Sequence, residues 1–248
     1  LRFHAIFWPA FLLAANLPVP KRIYAHGWIL SNEKKMSKSL GNILDPLEII
    51  NIYGIDQLRY YLIKEVSLGN DGNISLESLK NCINNDLANN YGNLCQRVFS
   101  FVQKNCSNKI PWPKKINDKD RKLLNNIKSR VNELIEIMNK QDLNNYIKEI
   151  INFSFDTNKY FNDSEPWAVK KTDPERMESI IFTALEQIKN ISILLHPIIP
   201  IATGKVLQTL NLDDNKNLID IINKPDCFNH EKELKHCGIL FRKIDHDN

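Results

Sequence analysis

The chain contains no Cys-x-x-Cys pair, and its five cysteines (Cys82, Cys95, Cys106, Cys227 and Cys237) are odd in number and widely spaced. No zinc motif follows from that spacing, and free thiols in a reducing, cytoplasmic compartment are expected. Glycine is scarce, at 8 of 248 residues, beside an abundance of Asn, Lys and Ile; this bias reflects an AT-rich coding sequence more than a physical need. There is no internal repeat and no low-complexity tract. There is also no membrane-spanning run. The apolar opening from Phe3 to Leu17 is too short to cross a bilayer, and His4, Trp8 and Pro9 interrupt what a signal peptide requires to be uniformly apolar. The first residue is Leu, so the chain reads as an internal start within a longer protein. A strong charge imbalance is missing too: 33 basic residues stand against 29 acidic ones, a net charge of +4. That excess is too small to argue nucleic-acid binding by bulk attraction, so any such binding has to come from local placement of charge.

The composition that remains, 43% hydrophobic and 25% charged, is that of a globular chain with room for one large domain or two small ones. Leu1 to Ala15 reads as a buried helix with Pro9 inside it, which predicts a kink or break near Trp8. Lys21 to Leu30 reads as a strand covered on both faces, because its apolar run is near-continuous. Two short helices follow, Pro46 to Tyr53 and Asp56 to Val66, separated by Gly54. The tract Leu68-Gly69-Asn70-Asp71-Gly72-Asn73 has loop composition and is the best domain boundary. Beyond Ser75 everything reads as helix: a long segment to about Lys104 with an Asn-rich, poorly helical middle, then 119–139, 142–161, a restart at Asp173-Pro174, and a short helix over 200–210. Pro111-Trp112-Pro113 marks a turn. Gly238 to Phe241 reads as a strand in a looser tail. Amphipathic helices with short connectors predict an antiparallel bundle.

The segment with the most chemistry is Lys35-Met36-Ser37-Lys38-Ser39, followed by Leu40-Gly41-Asn42. A short basic, hydroxyl-rich loop sits between the strand and a helix start in which Asp45 caps, Pro46 takes the first helical position and Glu48 closes a capping box. Lysine is a point charge on a mobile stem that follows a phosphate as it moves, and serine hydroxyls donate to its oxygens. Taken alone, most such runs are solvated turns. The eight residues KMSKSLGN in this strand–loop–helix context resemble the KMSKS signature of class I aminoacyl-tRNA synthetases.

The order FHAIFWPAFL, AHGW, KMSKSLGN, LRYYL, then NLCQR and EPWAV in the helical part, resembles the methionyl-tRNA synthetase family over essentially the whole chain. That resemblance implies condensation of methionine with ATP, as its Mg2+ complex, to methionyl-adenylate, and transfer of the methionyl group to tRNA(Met). It implies that Lys38 stabilises charge on the leaving pyrophosphate, with Lys35 and Ser37 supporting the loop, and that His26 and Gly27 lie at the adenosine. It places His4 and Trp8 at the methionine pocket, and Asn93, Arg97 and Trp167 at the CAU anticodon. Read without the resemblance, His4 and Trp8 are more often core residues than ligand contacts. His26 is equally structural, Asn93 and Arg97 are ordinary helix-surface chemistry, and Trp167 is equally a core anchor.

One departure limits the expectation. The family's His-x-Gly-His turn, part of the ATP site, does not occur in this sequence, nor does the insertion where zinc sites lie. The reading is therefore mostly α with a small α/β part. Residues 1–72 are the C-terminal part of a Rossmann-like catalytic domain with its KMSKS loop, and residues 73–248 are an α-helical anticodon-binding domain with a tail. Activity is expected only with the N-terminal catalytic half, and no zinc site is expected in this portion. The rival reading is a stand-alone tRNA-binding module, or a synthetase remnant without catalysis.

Overall fold

The computed structural model describes residues 1–31, 44–67, 69–212, 218–224 and 227–245, and the backbone of 34–35. The first helix opens as a π-helical stretch, Phe3–Phe7, and continues as α1, Trp8–Ala14. Pro9 lies in the first turn of α1. The winding changes from π to α just ahead of Pro9, a residue with no N–H to donate. None of the residues of this helix is buried, against the expectation of a buried helix. No described element covers its apolar side chains.

The strand expected over 21–30 is corrected in the same way. Only β1, Ile29–Ser31, is extended and paired, antiparallel to β2, Lys34–Lys35, and parallel to β3, Gly72–Ile74, giving the order β2-β1-β3. Ile23, Tyr24 and Trp28 are exposed rather than sandwiched. An apolar run reports that a segment can be covered, not that a covering layer is present. The loop-like tract before Ser75 contributes β3, because Gly72 N–H donates to the Trp28 carbonyl at 2.8 Å and the pairing then runs on.

Helices α2, Pro46–Tyr53, and α3, Ile55–Glu65, meet at Gly54, whose φ of 104° is open to glycine at little cost. Asp45 caps α2 by accepting from Leu47 N–H; the reciprocal bond expected from Glu48 is not formed. Ser75 then starts α4, Leu76–Cys82, with a capping box. The Asn-rich middle is helical after all: Ile83–Gly92 is a π-helical segment leading without a break into α5, Asn93–Asn105. Helices α6, Asp118–Asn139, and α7, Leu143–Asp163, turn back on each other through residues 140–142, where Gln141 adopts a positive φ. A short α8, Pro166–Val169, precedes α9, Pro174–Leu195, which Asp173 caps by accepting from Arg176 N–H. The chain continues through α10, Pro200–Thr209, and α11, Leu218–Asn223. The tail after it is not a strand; among its described residues only Glu233 forms an isolated bridge, to Lys109.

Helix α9 is the axis of the molecule. It is buried on every side from Ser179 to Leu195, and α5, α6, α7, α8, α10 and α11 pack around it. A helix apolar all round belongs in a core, but this one also carries Glu186 and Lys189, paired at 2.8 Å with side-chain exposures of 2% and 0%. At its first turn the forked Arg176 guanidinium holds Asp120 of α6, with Nη2 donating to Oδ1 at 2.8 Å, and the Tyr160 hydroxyl of α7 donates to the same carboxylate at 2.6 Å. One fully buried carboxylate thus ties three helices together, which offsets its desolvation.

The LRYYL motif turns out to be the joint between the sheet-side segment and this bundle. Arg59 donates to the carbonyls of Pro197 and Ile198, both at 2.8 Å, and Asp56 accepts from Ala202 N–H at 2.7 Å at the start of α10. Tyr60 is buried and donates to Asp86 at 2.7 Å, which Lys64 also pairs. All five cysteines are free. Burial pushes the Cys82 thiol up to about 12 and the Cys106 thiol up to about 11, so both are poor nucleophiles at neutral pH. Among the described residues no helix is long and apolar enough to cross a membrane.

Candidate nucleic-acid interface

Asn93 and Arg97 lie one turn apart on α5 and share a face. The Arg97 guanidinium lies 5.2 Å from the centroid of the Phe161 ring, and its Nη2 donates to Asn162 Oδ1 at 2.6 Å. Both partners come from the end of α7. Stacking on a ring and one fixed hydrogen bond hold the planar fork in place.

Trp167 reaches the same place from α8. Its ring sits 6.0 Å from Phe161 in an edge-on arrangement, and Phe101 meets Phe161 at 6.3 Å. The backbone aims it there: Glu165, just ahead of Pro166, adopts a left-handed φ of 41°, a strained geometry that persists only where surroundings enforce it. Trp167 is 42% exposed, and it and the Arg97 guanidinium both pack against Phe161. That pair suits an unstacked nucleobase, with a π-face to stack on and donors for its edge. The geometry brings Arg97 and Trp167 together through Phe161, with Asn93 one turn along. Phe161 and Asn162 escaped the sequence reading, although Phe161 continues the apolar spacing of Phe153 at two turns.

The residues expected near the small-molecule substrates lie at the other end of the chain. His4 and Trp8 do meet, edge to face at 6.4 Å, and with Phe3, Phe7 and Phe11 they line an apolar hollow of about 500 Å³. His26 is exposed, its Nδ1 donating to the Gly27 carbonyl at 3.0 Å. At Gly27 a Cβ would fall 2.2 Å from the Asn70 carbonyl oxygen, so the crossing of the Asn70–Asp71 backbone alone requires glycine there. Gly27→Ala is therefore expected to push this crossing apart, costing about 1–3 kcal/mol and lowering the unfolding midpoint in urea, whatever ligand binds nearby. Lys35 has its backbone in β2, paired with Leu30, and its side chain lies outside the described residues. Ser37 and Lys38 lie wholly outside them. Among the described residues no group of three or more His, Cys, Asp or Glu could hold a metal ion.

Residues 1–99 match the family described as tRNA synthetases class I (M), and residues 110–248 match the anticodon-binding domain of methionyl tRNA ligase. The class is that of an aminoacyl-tRNA synthetase portion joined to a helical anticodon-binding domain. The chain belongs to the methionyl-tRNA ligase family, and corresponds to its C-terminal portion. It is 44% identical over 208 residues to a methionine–tRNA ligase of Rhizobium meliloti, covering 84% of this chain and 40% of that protein. To the Rickettsia conorii ligase it is 42% identical, over 99% of this chain and 49% of the relative. A Mycobacterium tuberculosis methionyl-tRNA synthetase solved with methionyl-adenylate superposes with a TM-score of 0.91 at 34% identity, over 97% of this chain and 48% of that one. The chain thus spans about half the length of the relatives it matches.

Proposed function

We infer that these residues are the C-terminal part of a cytoplasmic methionine–tRNA ligase. The whole enzyme activates methionine with ATP to methionyl-adenylate and transfers the methionyl group to tRNA(Met). Residues 1–72 complete the catalytic domain and residues 73–248 recognise the anticodon. The observation that carries the reading is the convergence of Arg97 and Trp167 on Phe161, in a chain that matches this family along its length.

In this reading the carboxylate of methionine attacks the α-phosphorus of ATP and pyrophosphate leaves. The Lys38 ammonium neutralises charge building on the departing group, with Lys35 and Ser37 shaping the loop that carries it. Mg2+ enters with ATP and supplies further charge neutralisation. His26 and Gly27 border the adenosine. His4 and Trp8 present an aromatic face to the methionine thioether, a contact worth roughly 0.3–1.5 kcal/mol. Asn93 and Arg97 read base edges of the CAU anticodon, and Trp167 stacks on one of its bases.

Replacing Trp167 by Ala in the full-length enzyme is expected to raise the KM for tRNA(Met) by roughly 5- to 100-fold, the equivalent of one lost base stack. Adenylate formation is unchanged, because the substitution lies in the helical domain. Steady-state aminoacylation beside pyrophosphate exchange separates the two, and an unaltered KM would reduce Trp167 to a core anchor. Aminoacylation by this chain alone, and again with a supplied N-terminal catalytic half, distinguishes a ligase from a tRNA-binding module: product in the second case only supports the ligase, and RNA binding without product in either supports the module.

A further inference from the structure

Trp112 has no part in the reading above, yet it sits on a built platform. It lies in the connector between α5 and α6, with Pro111 and Pro113 restricting the backbone on both sides. Its indole stacks on the His230 ring at 3.6 Å and 13°, and His230 stacks in turn on Phe182 at 6.1 Å and 14°. His230 Nδ1 donates to the Ile110 carbonyl at 3.0 Å, which fixes the imidazole. His230 and Phe182 are buried, whereas Trp112 is 59% exposed. An indole that only sealed the core would be hidden; this one spends one face on the imidazole and leaves much of the rest to solvent.

The surroundings are basic and continuous with the anticodon face. A hollow of about 280 Å³ beside Trp112 is lined by Asn105, Lys109, Lys114 and Glu178, the last two paired at 3.2 Å. Lys170, one turn beyond Trp167, donates to Asn105 Oδ1 at 2.7 Å; that partner is neutral, so it leaves the ammonium charge uncompensated. Asn105 lies two turns from Arg97 on the same face of α5, with Phe101 between them against Phe161.

We propose that this hollow is a second stacking site for single-stranded RNA. It takes a nucleotide of the anticodon arm beyond the bases met at Arg97 and Trp167, with the Trp112 indole under the base and Lys109 and Lys170 at the neighbouring phosphates. The proposal rests on the anticodon reading and extends it along α5. A flat, pre-held aromatic stacks any base, because every base has a π-face, and lysine meets phosphate as a point charge.

The test is titration of the intact chain with a CAU anticodon stem–loop RNA across a salt series. Trp112→Ala weakens binding about tenfold, Trp112→Phe stays within about threefold, and Lys170→Gln lowers the slope of log affinity against log salt by about one. Wild-type affinity in Trp112→Ala, with weakened binding in Trp167→Ala, overturns this site and leaves the anticodon reading standing. Unchanged affinity in both overturns the two together. If Trp112→Ala lowers the thermal midpoint along with affinity and Phe restores neither, Trp112 is a structural plug and the proposal fails.

Discussion

Lys38→Ala in the full-length enzyme is expected to slow methionyl-adenylate formation by about 10²- to 10³-fold while leaving tRNA affinity nearly unchanged. The magnitude is that of one positioned donor removed from developing transition-state charge, roughly 3–4 kcal/mol. The split between the two readouts follows from position. Lys38 belongs to the segment between β2 and α2, whereas Arg97 and Trp167 stand on α5 and α8. Pyrophosphate exchange measures the first effect and filter binding of tRNA(Met) the second. An undiminished exchange rate removes Lys38 from the chemistry. A parallel loss of tRNA affinity shows instead that the loop is part of the RNA interface.

Glu186→Ala is expected to cost about 3–5 kcal/mol of folding stability, the penalty for leaving one charge of a buried pair alone. Lys189 has no exposed surface to which it could move; its ammonium lies 5.3 Å from the Phe228 ring centroid. Most of a domain's net stability is at stake, so the variant should be largely unfolded at modest urea. The double replacement Glu186→Met and Lys189→Met removes both charges at similar volume and should recover most of the loss. Urea unfolding followed by circular dichroism gives both numbers. A mild single-variant effect would show that water reaches this stretch of α9.

Where local rules govern, the sequence was readable. Asp173-Pro174 starts α9 as its capping chemistry requires, His196-Pro197 ends it, and the stripe of α6 buries Ile127, Val131 and Leu134. The candidate anticodon residues were legible only through resemblance: Asn93 and Arg97 share a face by spacing, but Trp167 is far along the chain, and the ring joining it to Arg97 is contributed by the end of α7. The Asp120–Arg176–Tyr160 knot was invisible for the same reason, since its partners are 56 and 40 residues apart. The failures at 1–15 and 21–30 have another cause. Apolar spacing states what a segment would bury if a partner were present, and the described residues supply none.

The π-helical run Ile83–Gly92 holds more residues per turn than an α-helix, so each of its residues turns the chain through a smaller angle about the axis. Over ten residues that difference accumulates. The angle between the face of α4 that meets the sheet-side segment and the face of α5 that carries Arg97 therefore depends on backbone winding as well as on the buried side chains of the segment. Asn-rich sequence, a weak α-former, suits a stretch whose task is phase. The segment acts as a vernier between the two ends of the molecule: rewinding it by one residue would swing the candidate base-reading side chains around the helix while leaving every one of them unchanged.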